Sequence, residues 1–142
     1  MRMLIALVAA GFMSLMTPVA VMAADPAAEA QKVIQQQIDA FLEDDAAAAY
    51  AFASPAIRQR FPDKDTFFEM VKRGYAPVIR PGNYAFGRSA VAPDGNMLFQ
   101  ELLITGSDGK SWRAIYQMTR GEDGSYKING VQMDVDTASK GI

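Results

Sequence analysis

Neither cysteine nor histidine occurs anywhere in the 142 residues of this chain. Together the two absences remove Ser-His and Cys-His nucleophile systems and ordinary zinc sites, which need an imidazole or a thiolate. No disulfide can form, so the fold must rest on packing alone. Positive charge is not concentrated either. The 14 Lys and Arg against 16 Asp and Glu give a net charge of −2, and no basic cluster offers a footing for nucleic acid. Asp, Glu, Lys and Tyr remain for acid–base chemistry.

Charge is missing altogether from Met3 to Ala24, behind the single basic residue Arg2. The stretch ends in Val21-Met22-Ala23, small or apolar residues suited to a signal peptidase. A basic start, an apolar middle and a small-residue end predict a secretory signal peptide over residues 1–23. Its 22 uncharged residues are also enough for a membrane anchor, but Pro18 and the closing alanines favour cleavage. No cysteine follows to carry a lipid. Cleavage after Ala23 leaves 119 residues with 13 basic and 16 acidic side chains. The expectation is a periplasmic or secreted protein with no stable membrane span. Its length suits a single domain over 24–136 and a small, polar, flexible tail over 137–142.

What is present reads as helices first and strands second. Ile34, Ile38, Phe41 and Leu42 recur at helical spacing over 27–43, with Gln35, Gln36 and Asp39 toward the other side. Asp44 or Asp45 can cap a short helix over 46–53. Ser54-Pro55 opens another turn through Ile57 to Phe61. A further helix over 64–73 turns Phe67, Phe68 and Val71 inward and stops at Gly74. Pro77 and Pro81 predict an extended crossing segment over 75–81.

Three Asp-Gly pairs then punctuate the chain: Asp94-Gly95, Asp108-Gly109 and Asp123-Gly124. Asp-Gly between alternating runs predicts hairpins with primed turns, because glycine adopts positive φ at no steric cost. Four strands follow, over 83–91, 97–105, 111–119 and 126–133. Trp112, Ala114, Tyr116 and Met118 share one face of the third. The class is α+β, with N-terminal helices packed on a curved four-stranded antiparallel sheet. A sheet this short must bend around the helices, and one end can stay open as a pocket.

This order resembles the nuclear transport factor 2-like, cystatin-like cone fold of ketosteroid isomerases and scytalone dehydratases. Particular phrases are similar to one uncharacterised family of exported bacterial proteins, a domain of unknown function. They are Gln37-Ile38-Asp39-Ala40-Phe41, Ala51-Phe52-Ala53-Ser54-Pro55-Ala56-Ile57, Gly74-Tyr75-Ala76-Pro77-Val78 and 123–130. The likeness spans about 33–133. It implies a fold and an envelope location, and it carries over no catalytic residue. Cone folds often pair through their sheet faces, so it also raises a homodimer.

The isomerases of that fold pair a carboxylate base with a tyrosine donor. The candidates here are Asp39 or Glu101 as base and Tyr50, Tyr75 or Tyr116 as donor. A solvated helix face accounts for Asp39, and a core tyrosine with one satisfied hydroxyl accounts for each donor. Gln100 falls between Leu98 and Leu102 on an apolar strand face, where a buried amide needs a partner. That partner is a ligand inside the cone, another strand or a water. On the ligand reading, Gln100→Leu weakens capture and leaves the fold intact. Arg80, at the start of the sheet, can meet an anionic group or a helix C-terminus. The candidate pocket is therefore Gln100, Trp112, Tyr116, Tyr75 and Arg80.

Other motifs fail. Gly109-Lys110-Ser111 ends like a phosphate loop, but Ile104 stands where that motif needs glycine and no helix follows. Asp63-Lys64-Asp65 and Asp134-Val135-Asp136 are too short for a calcium loop. No cofactor and no metal is expected. The preferred function is a non-enzymatic exported domain that binds a small apolar ligand or a protein partner. An isomerase- or dehydratase-type enzyme and a structural homodimer are the alternatives.

Overall fold

The computed structural model describes residues 25–136. The expected signal peptide over 1–23 and the expected tail over 137–142 lie outside these. The chain forms α1 (Pro26–Leu42), α2 (Ala46–Ala51), α3 (Pro55–Arg60), α4 (Lys64–Gly74) and α5 (Ala76–Ile79). Then come β1 (Pro81–Val91), β2 (Met97–Gly106), β3 (Ser111–Arg120) and β4 (Tyr126–Val135). The strands make one antiparallel sheet in the order β1-β2-β3-β4. Helices followed by an open four-stranded sheet are α+β, an arrangement consistent with the nuclear transport factor 2-like cone.

Side-chain oxygens start the first four helices. Asp25 accepts from the Ala27 N–H (3.2 Å), Asp45 from Ala48 (3.0 Å), Ser54 from Ile57 (3.3 Å) and Asp63 from Asp65 (2.8 Å). Each satisfies an N–H that the first turn leaves without a partner. Pro26 and Pro55 occupy first-turn positions, where a missing N–H costs nothing. Asp45 therefore caps α2, while Asp44 turns the chain out of α1 at φ +55°.

The segment 75–81 departs from the extended course that its prolines predict. Ala76–Ile79 is a single helical turn with Pro77 in its first turn, and Val78 and Ile79 are buried. Proline breaks a helix from within but fits its start. The apolar residues then gain by turning inward.

The hairpins form where the Asp-Gly pairs stand, but their turns are not primed. A type I′ turn needs positive φ at both central residues. Here only the glycines have it: Gly95 at +73°, Gly109 at +80° and Gly124 at +81°. The N–H of each glycine closes a four-residue turn onto the carbonyl of Ala92, Gly106 or Gly121, at 2.8, 3.0 and 3.0 Å. Each aspartate accepts from the N–H just past its glycine at 3.0 Å. These are type I turns closed by a left-handed glycine, with the aspartate as a side-chain brace.

The core lies between α1, α4 and the inner face of the sheet. Ile34, Ile38, Phe41, Phe67, Phe68 and Val71 meet Leu98, Leu102, Ile104, Ala114, Tyr116, Met118, Tyr126 and Ile128. The alternation predicted for β3 holds: Ala114, Tyr116 and Met118 are buried, Trp112 is half-buried and Arg113 is exposed. Burying a large apolar side chain is worth about 1.5–3 kcal/mol, so this shared face is what holds helices to sheet. On the outer face Met97, Phe99 and Leu103 stay exposed.

Candidate functional site

Sheet and helices part at one end, and a pocket of about 280 Å³ opens there. Four elements build most of it. α1 supplies Gln37 and Phe41, α3 and its C-cap Ile57, Arg60 and Phe61, α4 Phe67, Met70 and Val71, and β4 Ile128 to Val131. Tyr75 and Val78 close the remaining side.

The α2–α3 connection is tied to β4, which fixes one wall. The Ser54 N–H donates to the Ile128 carbonyl and the Ile128 N–H to the Phe52 carbonyl, both at 2.8 Å. β4 carries an extra residue here, because Gln117 faces Gly130 while Met118 faces Ile128. Such a bulge re-aims side chains at a sheet edge. Phe41 stacks on Phe67 with ring centroids 6.4 Å apart, and Tyr50 tilts against Phe67 at 5.5 Å.

Three polar groups at the pocket have hydrogen-bonding capacity to spare. Gln37 is 3% exposed, and its Nε2 donates to the Ala49 carbonyl (3.1 Å), leaving Oε1 at the wall. Ser54 Oγ receives the Ile57 N–H (3.3 Å) and donates its own proton to Asn129 Oδ1 (2.7 Å). That leaves the Asn129 Nδ2 group to donate. Arg60 is the one charged residue in the lining, and no Asp or Glu takes part.

Of the five residues proposed from sequence, only Tyr75 lines this pocket. Gln100 is fully buried on β2, where its amide is saturated by protein. Its Nε2 donates to the carbonyls of Gly87 (3.3 Å), Arg88 (3.3 Å) and Glu101 (2.9 Å). Its Oε1 accepts from Ser89 Oγ and from Gln31 Nε2. Arg80 meets a helix C-terminus: Nη1 donates to the Phe41 carbonyl (2.6 Å), and Nη2 pairs with Asp44 (2.7 Å). Trp112 packs half-buried against the core, opposite Ile104 and Val135 in register. Tyr116 is buried, and its hydroxyl has no hydrogen-bond partner among the described residues. Burial, then the neighbouring Tyr84, pushes that phenol far above its ordinary value. Tyr84 is itself raised by burial and by the Asp39 carboxylate.

The acid–base candidates do not converge on the pocket. Asp39 is exposed on α1, near Tyr84 of β1, and does not line the pocket. Glu101 Oε1 accepts from the Arg88 N–H (3.4 Å) beyond the sheet's inner face. Tyr50 donates its hydroxyl proton to the Phe61 carbonyl (2.6 Å). Tyr75 thus faces the pocket with no carboxylate beside it. Among the described residues no group of three or more Asp or Glu side chains is placed to hold a metal ion. No helix among them is long and apolar enough to cross a membrane.

Sequence reasoning missed Gln37, Arg60 and Asn129. Gln37 carried a signal. It lies at i+3 from Ile34 and i−4 from Phe41, a polar residue inside the buried stripe of α1.

Architecture and pocket together define a helix-capped antiparallel sheet with an apolar pocket at one end. The chain belongs to the family described as Domain of unknown function (DUF4864), which matches residues 23–141. A solved structure from Catenulispora acidiphila is similar, with 16% sequence identity and a TM-score of 0.49. The likeness covers 80% of this chain and 93% of that one. None of the curated proteins matches it.

Proposed function

We propose that this is an exported, non-enzymatic domain that binds a small apolar ligand between α1, α3, α4 and β4. The observation that carries the reading is the pocket lining. It is mostly aromatic and branched apolar, with Gln37, Asn129 and Tyr75 as the neutral polar points. Small-molecule sites have this make-up, a hydrophobic wall with a few placed polar groups. A volume of about 280 Å³ falls just below the ~300–1,000 Å³ range of such sites and suits a small ligand. The isomerase alternative needs a base against the substrate, and no carboxylate lines this wall. Export is supported by the charge-free, alanine-ending N-terminus.

The test is native mass spectrometry of the protein purified from its own envelope. A bound small molecule is expected to survive ionisation. Val131→Phe, which fills the pocket from β4, is expected to abolish the adduct without unfolding the chain. Only bare protein, from native and refolded preparations alike, would overturn the reading.

A homodimer is the second reading, supported by the outer face of the sheet. Phe99 and Leu103 are 43% and 39% exposed on β2, with Met97 at 37% beside them. Apolar residues grouped on an open sheet face suit a protein interface. Sedimentation equilibrium tests it: a monomer at all concentrations, unchanged by Leu103→Glu, rejects the dimer.

A further inference from the structure

Resting on the pocket reading above, we propose that the ligand is an apolar carboxylic acid, with its carboxylate held at the mouth by Arg60 and Asn129. The chain carries net negative charge, yet the only charged group in the pocket lining is a cation. A cation with no counter-charge at the rim of an apolar cleft favours an anionic head over a neutral one.

Arg60 is available for this and its neighbour is not. Arg58 spends Nη2 on the Ala51 carbonyl (2.9 Å) and lies 5.3 Å from the centroid of the Tyr50 ring. The Arg60 side chain makes no ion pair or hydrogen bond among the described residues. Its one contact of note is with the face of Phe61, 6.0 Å from the ring centroid. That ring also lines the pocket, so the exposed guanidinium lies beside the mouth. A guanidinium is a planar fork matched to two carboxylate oxygens.

The second donor is the Asn129 amide. Ser54 Oγ donates to Asn129 Oδ1 (2.7 Å), which leaves the Asn129 Nδ2 to donate elsewhere. Behind both groups the wall is apolar: Phe41, Phe67, Val71 and Ile128. A charged head at the rim with a hydrocarbon body behind it describes an amphiphilic acid. An alcohol of the same length would gain only the hydrocarbon part.

The experiment is calorimetric titration of the full mature chain at low ionic strength with decanoate and with 1-decanol. Decanoate is expected to bind about tenfold more tightly, the order of a charge-assisted hydrogen bond at a partly solvated site. Added salt should shrink that preference. Arg60→Met should bring decanoate down to the level of decanol, and Arg60→Lys should restore part of the difference. Arg58→Met is the control and should leave the preference unchanged. Equal affinities for acid and alcohol overturn the carboxylate inference while leaving the pocket reading standing. So does a preference that survives Arg60→Met. Failure of both compounds to bind overturns the two together.

Discussion

Gln100 on β2 reaches across to Gly87 on β1, its Nε2 donating to the glycine carbonyl at 3.3 Å. The bond sits where the β1–β2 ladder slips, between the pairs Phe86–Leu102 and Ser89–Gln100. The same nitrogen also serves Arg88 and Glu101, and the oxygen receives Ser89 and Gln31. One buried amide thus replaces the ladder bonds that the irregularity removes.

Strand alternation alone suggests that Gln100→Leu spares the fold. The hydrogen bonds predict a loss of stability. Leucine fills the volume but leaves polar groups in β1 without partners, at about 1–3 kcal/mol. Urea unfolding should therefore show a lower midpoint with an unchanged slope. Binding of an apolar ligand should persist in the folded variant, because Gln100 does not line the pocket. A wild-type midpoint would refute the bracing role.

Tyr116 is the converse case. Its hydroxyl is fully buried without a partner among the described residues, so no hydrogen bond from them offsets its desolvation. Tyr116→Phe keeps the ring in the core and removes only that oxygen. The variant is expected to be more stable by about 1 kcal/mol. Thermal unfolding checks it, and a lower transition temperature would reveal a bond that the hydroxyl makes in solution.

Asp123 gives a pH dependence. The Ser125 hydroxyl at 2.8 Å and the Ser125 N–H at 3.0 Å both donate to its Oδ1. The hydroxyl bond is the larger cause holding this carboxyl below its ordinary value of 3.8. A depressed folded value means the charged form is favoured in the fold. The contribution is present above pH 3.8 and is lost as pH falls through the lowered folded value. Carboxyl-carbon NMR should place the Asp123 midpoint below 3.8. Ser125→Ala should move it upward, and no movement would assign the shift elsewhere.

The sequence exposes the parts of this fold that depend on local pattern. The α1 stripe, the inward face of β3 and the three hairpin sites all follow from spacing within one element. Their finer geometry depends on more. The aspartate braces and backbone bonds make the Asp-Gly turns type I with a left-handed glycine, where the dipeptide alone suggests a primed turn. Pro77 looks like a breaker until the start of α5 is seen to fall beside it. The pocket was the least legible. Its lining comes from Gln37, Ile57, Met70 and Val131, on four separate elements that no single periodicity connects. Gln100 stands out in the sequence as a polar residue on an apolar strand face. Its partners lie on β1 and α1, and only the sheet register reveals them.

Arg80 closes the end of α1, and its bonds to the Phe41 carbonyl and to Asp44 can be separated experimentally. Nη1 gives the Phe41 carbonyl a second donor beside the Asp44 N–H (3.1 Å), at the helix C-terminus, where a cation also suits the dipole. Nη2 pairs with Asp44, whose φ of +55° places it where the chain leaves the helix. Both ionic side chains are well exposed, at 46% and 66%, so the ion pair alone is worth at most about 1 kcal/mol. Arg80→Met removes both bonds and should cost about 1–2 kcal/mol. Asp44→Asn keeps a residue that tolerates left-handed φ and removes only the charge, so it should cost less, about 0.5 kcal/mol. Added salt should erase the Asp44→Asn effect and only part of the Arg80→Met effect, because the bond to the carbonyl does not depend on the aspartate. Equal losses for the two variants, both abolished by salt, would show that the ion pair and not the helix end is what Arg80 stabilises.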